Sequence, residues 1–176
     1  MTRWRAWEFA CACLCVAALG TAALAGGTAP CEGSGPTDRV AAWRAQVSTD
    51  PLHRYAVQTF GSPTGCHASL ESAPEGPRFG ALVLAFGGGA RYEVDSSPPE
   101  ATRISLRADH GLPDPARARA ALAEQAATIG LEIDWEHPTR EPGVERYHDP
   151  TPGLNASAEL RTEGGKLVEV ILRMAL

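Results

Sequence analysis

The sequence lacks the short motifs that usually indicate catalysis. It contains no Gly-x-Ser-x-Gly elbow, and its Gly-Ser pairs stand in proline-rich segments. Its five histidines form neither His-x-x-x-His nor His-Glu-x-x-His, the spacings that put two ligands on one helical face. The three glycines at 87–89 are followed by no lysine, so they predict a hairpin turn rather than a phosphate-binding loop. We therefore expect a protein that is not an enzyme and holds no cofactor.

The first 25 residues predict a cleavable secretory signal peptide. Arg3 and Arg5 supply a positive start, and an uncharged apolar run extends from Phe9 to an Ala-Leu-Ala ending at Ala25. As a helix this run spans about 25 Å, slightly less than the roughly 30 Å hydrocarbon core that a membrane anchor crosses. We therefore expect a periplasmic or secreted protein without stable membrane insertion.

Cysteines are scarce once the predicted signal is removed, because three of the five lie within it. Cys31 and Cys66 remain, and in an oxidising compartment we expect them to form a disulfide. Closing that loop would stabilise the fold by about 3 to 4 kcal/mol. The bond also occupies the thiol of Cys66, whose neighbour His67 would otherwise suggest a nucleophile and its base. The residues before Cys31 fit a lipoprotein signal poorly, so we expect no lipid anchor.

Basic residues are outnumbered, and the chain carries a formal net charge of −5. The predicted signal removes two arginines and one glutamate, which leaves the exported part slightly more acidic. An acidic domain is a poor partner for nucleic acid or for an anionic membrane surface. We expect another protein as the partner, and the acidic balance suits a basic one.

The remaining pattern predicts a flexible leader over residues 26–36 and a single α+β domain over residues 37–176. We expect a short N-terminal helix from Thr37 to Ser48 and a main helix over about residues 114–129. Asp114-Pro115 supplies a preferred cap and first residue for the main helix, and Gly130 supplies its end. Residues 52–60 are ambiguous between helix and strand, and residues 61–78 predict a long loop.

Alternating apolar residues predict the strands, which lie at about 81–86, 91–95, 101–108, 131–136, 144–148, 156–163 and 166–176. Gly164-Gly165 predicts a tight turn between the last two. We expect an antiparallel β-sheet of about five to seven strands, with the main helix packed on one face.

Charged residues alternate along two of these predicted strands. One set is Glu132, Asp134 and Glu136, and the other is Glu159, Arg161 and Glu163. If both strands belong to one sheet, their exposed face would carry an acidic field that docks a basic partner. The alternative interpretation is an outer face that only keeps the domain soluble.

The sequence leaves three hypotheses for function. The first is an exported binding protein of the bacterial cell envelope without catalytic activity, for example an inhibitor or an immunity protein. The second is a periplasmic metal-assisted hydrolase, whose best candidate ligands are Asp134, Glu136, His137 and His148. The third is a structural component of an envelope assembly.

Overall fold

A computed structural model of the protein describes residues 31–35, 37–73, 76–97 and 101–175. The predicted signal peptide and the first part of the predicted leader lie outside the described residues. Within the described ranges the chain forms three α-helices and nine β-strands. The α+β class predicted from the sequence is therefore confirmed.

The three described helices connect strands of a single mixed sheet. They are α1 (Thr37–Val47), α2 (Pro51–Phe60) and α3 (Pro115–Thr128). The strands are β1 (Glu32–Ser34), β2 (Gly65–Ala73), β3 (Gly76–Ala85), β4 (Ala90–Ser97), β5 (Ala101–Ala108), β6 (Thr139–Glu141), β7 (Val144–His148), β8 (Asn155–Glu163) and β9 (Lys166–Ala175). Their order in the sheet is β1-β2-β3-β4-β5-β9-β8-β7-β6, and every described pair is antiparallel except β1 with β2.

Helix α3 forms where the sequence predicts it because its cap and its buried stripe agree. The Asp114 carboxylate accepts a hydrogen bond from the Arg117 backbone N–H at 3.0 Å, which satisfies one of the free donors of the first turn. Ala118, Leu122 and Ala126 recur at helical spacing and are buried. The small alanine side chains let this helix lie close to the sheet.

All three helices bury side chains in one hydrophobic core against one face of the sheet. Trp43 of α1, Leu52 of α2 and Leu122 of α3 belong to the same core cluster as Leu106 and Val170 of the central strands. The opposite face carries the other set of alternating residues, among them Ser105, Ile171 and Glu159, which pair across β5, β9 and β8. We term it the helix-free face, since none of the described helices contributes to it.

The sheet is larger than expected, with nine described strands instead of five to seven, because β1, β2 and β6 were not predicted as strands. The predicted loop at residues 61–78 is wrong. It contains β2 and the start of β3, which pair along their whole length. The glycines and prolines of this segment suggested a loop. Gly80, two residues beyond the segment, serves the pairing. A Cβ atom at Gly80 would collide with the Ser69 carbonyl, so glycine allows β3 to approach β2 beside a bulge at Ser69/Leu70.

Three further segments also differ from the prediction or resolve its ambiguity. Residues 52–60 belong to α2, and Glu32–Ser34, in the predicted leader, pair with β2 as a strand. The predicted strand at residues 131–136 is wrong. Leu131 and Ile133 are buried while Glu132 and Glu136 are exposed, yet the segment joins no strand pairing. The apolar residues alternate there because every second side chain packs against the core, and an extended loop can produce the same pattern as a strand.

The predicted disulfide between Cys31 and Cys66 is confirmed. It ties the residue before β1 to β2, directly beside the register pair Glu32 and His67. Because the two cysteines are separated by 35 positions, the bond closes a loop that contains both α1 and α2.

We predict that the double variant Cys31→Ser, Cys66→Ser loses about 3 to 4 kcal/mol of unfolding free energy, because the unfolded chain regains the entropy of that loop. Urea unfolding of the variant, and of the wild type with and without reductant, measures this loss. A reduced wild type should match the variant, and equal stability of the oxidised and variant proteins would contradict the prediction.

Candidate functional site

The helix-free face carries a network of arginines around two buried glutamates. Side chains of successive strand residues point to opposite faces, so alternate residues of β5, β7, β8 and β9 gather there. The arginine network consists of Arg103, Arg107, Arg146, Arg161 and Arg173 together with Glu159 and Glu169.

Glu159 is the centre of one half of the network. Its Oε1 accepts hydrogen bonds from the Nε atoms of Arg146 and Arg173, each at 3.2 Å. Its Oε2 accepts from Nε and Nη2 of Arg161 at 3.2 and 3.0 Å. A carboxylate offers about four acceptor positions, so these four bonds satisfy a side chain that is only 4% exposed.

Glu169 organises the other half of the network. Its Oε1 accepts a hydrogen bond from Nη2 of Arg103 at 2.9 Å. Its Oε2 lies 3.8 Å from Nη1 of Arg107 and 3.6 Å from Nη1 of Arg161. Arg161 therefore links the two glutamates, and both halves form one continuous set of ion pairs.

The register of the sheet brings these groups together. Arg107, Glu169 and Arg161 stand directly opposite one another in β5, β9 and β8. In the next row on this face, Ile171 stands between Ser105 and Glu159 and is fully buried. Opposite charges in adjacent strands stabilise a sheet, and here they line up across three strands.

The ionisation of Glu159 follows from its contacts. Desolvation by burial raises the pKa of its carboxyl group, but the hydrogen bonds and charges of Arg161, Arg173 and Arg146 outweigh this and hold the pKa below its ordinary value of 4.5. Glu159 is therefore a carboxylate at neutral pH, as the three surrounding cations require.

The exposed charge is positive at the centre of the network and negative at its rim. The five arginine side chains are 28% to 43% exposed, while the two glutamates beneath them are 4% and 6% exposed. Solvent therefore meets guanidinium groups at the centre. Acidic groups surround them: Glu93 lies 3.6 Å from Arg103, Glu141 lies 3.7 Å from Arg146, and Asp109 and Glu163 lie 4.0 and 3.2 Å from Arg107.

The structure brings together only half of the residues predicted as the binding surface. Glu159 and Arg161 belong to the network, and Glu163 lies at its rim. Glu132, Asp134 and Glu136 lie in the extended segment at residues 131–138, which is not part of the sheet. The continuous acidic sheet face is therefore not formed, and the exposed charge at its predicted centre is positive.

Sequence reasoning missed most of the network, namely Arg103, Arg107, Arg146, Arg173 and Glu169. The signal that could have found them is the alternation Arg103-x-Ser105-x-Arg107 in β5 and Glu169-x-Ile171-x-Arg173 in β9. Each pattern places charges on the face opposite the core, but the pairing of β5 with β9 was needed to join them.

The candidate metal ligands are not gathered around one point. His137 Nδ1 lies 2.8 Å from Asp134 Oδ2, and the Asp134 pKa is lowered by the backbone N–H of Glu136 and by His137. His148 contributes its backbone carbonyl, which accepts from the Asp134 N–H at 2.9 Å. In the part of the chain that the structure describes, no group of three or more His, Cys, Asp or Glu side chains is placed to hold a metal ion.

No protein-family model matches the chain, and no curated protein or solved structure shows significant similarity to it. Among the described residues, no helix is both long enough and apolar enough to cross a membrane. The Cys31–Cys66 disulfide is compatible with the predicted secreted or periplasmic location. The arginine network is the feature from which function is inferred.

We predict that Glu159→Gln lowers the free energy of unfolding by about 1 to 3 kcal/mol, because three arginines lose their charged acceptor. The matched control is Glu163→Gln, since that side chain is 62% exposed and its one ion pair among the described residues is with Arg107 at 3.2 Å. The control should change stability by less than about 1 kcal/mol. Urea unfolding measures both, and equal effects of the two substitutions would show that burial of Glu159 does not matter.

Stability should also fall in acid because of Glu159. Since its folded pKa lies below 4.5, the ionised group stabilises the fold above pH 4.5, and this contribution is lost as pH falls from 4.5 through the folded pKa. Asp134 and Asp149 also have lowered pKa values, and they are present in wild type and variant alike. We predict that wild type loses more unfolding free energy than Glu159→Gln between neutral pH and this acid range. Urea unfolding at both pH values measures the two losses. Equal losses would show that ionisation of Glu159 does not stabilise the fold.

Proposed function

We propose that the protein is an exported, non-catalytic binding protein of the bacterial cell envelope, and that its arginine network recognises an acidic surface on another protein. One observation carries this proposal. Five guanidinium groups surround two buried glutamates, four of them donate hydrogen bonds to these carboxylates, and Arg107 lies 3.8 Å from Glu169. They present their remaining donors to solvent on the helix-free face.

The fixed positions of these arginines favour binding. A free arginine side chain loses considerable rotamer entropy when a partner immobilises it, and Glu159 and Glu169 have already imposed that loss in the folded protein. Each guanidinium has five N–H donors in a planar fork that matches a carboxylate. Arg161 uses two nitrogens on Glu159 and a third near Glu169, while Arg107 and Arg173 each remain 43% exposed.

The distribution of charge favours an acidic protein surface over nucleic acid. A phosphate backbone would have to pass the acidic rim formed by Glu93, Glu141 and Glu163, and the whole chain carries a net charge of −5. A protein surface with a small group of carboxylates can reach the centre and leave the rim to basic or neutral neighbours. The proposed partner is therefore acidic at its point of contact, in place of the basic partner expected from the sequence.

Inhibitors and immunity proteins both act by capturing one protein, so either role fits this class. Each requires that binding depend on the helix-free face and weaken as salt screens the charges. These two requirements distinguish the proposal from a component that contributes only bulk to an envelope assembly.

We predict that the double variant Arg107→Gln, Arg173→Gln fails to retain the partner that the immobilised wild-type protein captures from an envelope extract. Both side chains lie on the helix-free face and are 43% exposed, so their loss removes donors without opening the core. Circular dichroism and urea unfolding establish that the variant is folded. Calorimetry with the purified partner then gives the loss of affinity and its dependence on salt.

The matched control is Arg54→Gln, Arg117→Gln, which removes the same charge from α2 and α3. Arg54 pairs with Glu124 across these two helices, and Arg117 donates to the side chain of Gln58. This control should retain the partner. Equal retention by both double variants would exclude the helix-free face as the binding surface.

A further inference from the structure

A second candidate site lies on the helix-covered side of the sheet, and among its lining residues Glu141 also belongs to the rim of the arginine network. A cavity of about 480 Å³ opens between the first turn of α3 and the strands that follow it. Its apolar lining includes Pro115 of α3 together with Leu160 and Leu167, which belong to the hydrophobic core. A volume of this size lies in the range of roughly 300 to 1,000 Å³ that is typical of small-molecule sites.

The acidic groups at this cavity are already neutralised. Glu145 Oε1 accepts a hydrogen bond from Nε of Arg140 at 3.2 Å, and its Oε2 accepts from the Tyr147 hydroxyl at 2.8 Å. Glu141 lies 3.7 Å from Nη1 of Arg146. Each carboxylate lining the cavity therefore lies beside a cation: Glu145 pairs with Arg140, and Glu141 shares Arg146 with Glu159.

Arg119 is the remaining charged group in the cavity wall. Its guanidinium carbon lies 5.1 Å from the ring centre of Tyr147 and 5.8 Å from that of Trp135, and its Nη2 donates to the Trp135 carbonyl at 3.1 Å. The two rings and this hydrogen bond fix the position of the cation. Among the described residues, no ion pair joins Arg119 to a carboxylate.

We propose that this cavity binds a small apolar carboxylic acid. The carboxylate occupies the free donors of Arg119, and the apolar body lies against Leu160 and Leu167. An anion is required because the acids around the cavity are paired and Arg119 is not. An apolar body is required because the lining between these charged groups is aliphatic, so a strongly hydrated anion such as phosphate would lose its water without gaining contacts there.

The test is calorimetric titration of the purified protein with three probes of equal chain length: decanoate, decanol and decylamine. Decanoate should bind saturably, and the alcohol and amine should bind at least about tenfold more weakly. Shortening the acid to hexanoate and then to acetate should weaken binding stepwise, because less apolar surface is buried. Equal binding of decanoate and decanol would overturn the proposal, as would the absence of saturable decanoate binding.

The variant Arg119→Gln tests the role of the cation. It should weaken decanoate binding by at least about tenfold and leave decanol unchanged. Arg117→Gln is the matched control, because Arg117 lies two residues away on the same helix but contacts Tyr55 and Gln58 instead of the cavity. Unchanged decanoate affinity in Arg119→Gln refutes the site. This result is independent of partner capture by the helix-free face, so either proposal can fail alone.

Discussion

The hydrogen bonds that three arginines donate to the buried carboxylate of Glu159 are the interaction on which the second face of this sheet depends. An ionised carboxylate with so little exposure is costly unless its acceptor positions are filled and its charge is balanced. Once Glu159 is fixed by these bonds, the positions of Arg146, Arg161 and Arg173 follow, and Arg161 extends the order to Glu169. The buried carboxylate of Glu159 thus determines which charged groups this face presents to solvent.

This arrangement also explains how a sheet with helices on one face avoids a second apolar surface. The core on the helix side is closed by aliphatic and aromatic side chains such as Tyr92 and Leu122. On the helix-free face, Ile171 is equally buried, although its neighbours across the strands are Ser105 and Glu159. Ion pairing therefore orders this face, while burial of apolar surface orders the other. The two candidate sites reflect the same division, since one presents fixed charges and the other an apolar cavity in which Arg119 has no ion pair among the described residues.

Sequence reasoning succeeded where the information was local. The cap at Asp114 and the helix that follows it were predicted, as was the β8–β9 hairpin, whose Gly164 and Gly165 have φ values of 56° and 78°. It failed where structure depends on distant partners. Alternation at residues 131–136 gave the correct buried residues, but it could not show that the segment joins no strand pairing.

The candidate sites illustrate the same limit. Arg103 and Glu169 are 66 positions apart, so their contact depends on the pairing of β5 with β9, which no local pattern contains. Glu159 and Arg161 were identified as an exposed charged pair from alternation alone. The exposed charge around them is positive instead of negative, because the other strands of the sheet contribute four more arginines.

The position of β9 has a consequence for how the chain reaches its folded state. This strand is the last in the sequence, yet it lies between β5 and β8 in the middle of the sheet. Without β9, no described strand joins the β2–β5 meander to the β6–β8 segment. The nine-stranded sheet can therefore be completed only after the residues of β9 are present, because its two parts are joined through that strand alone among the described residues.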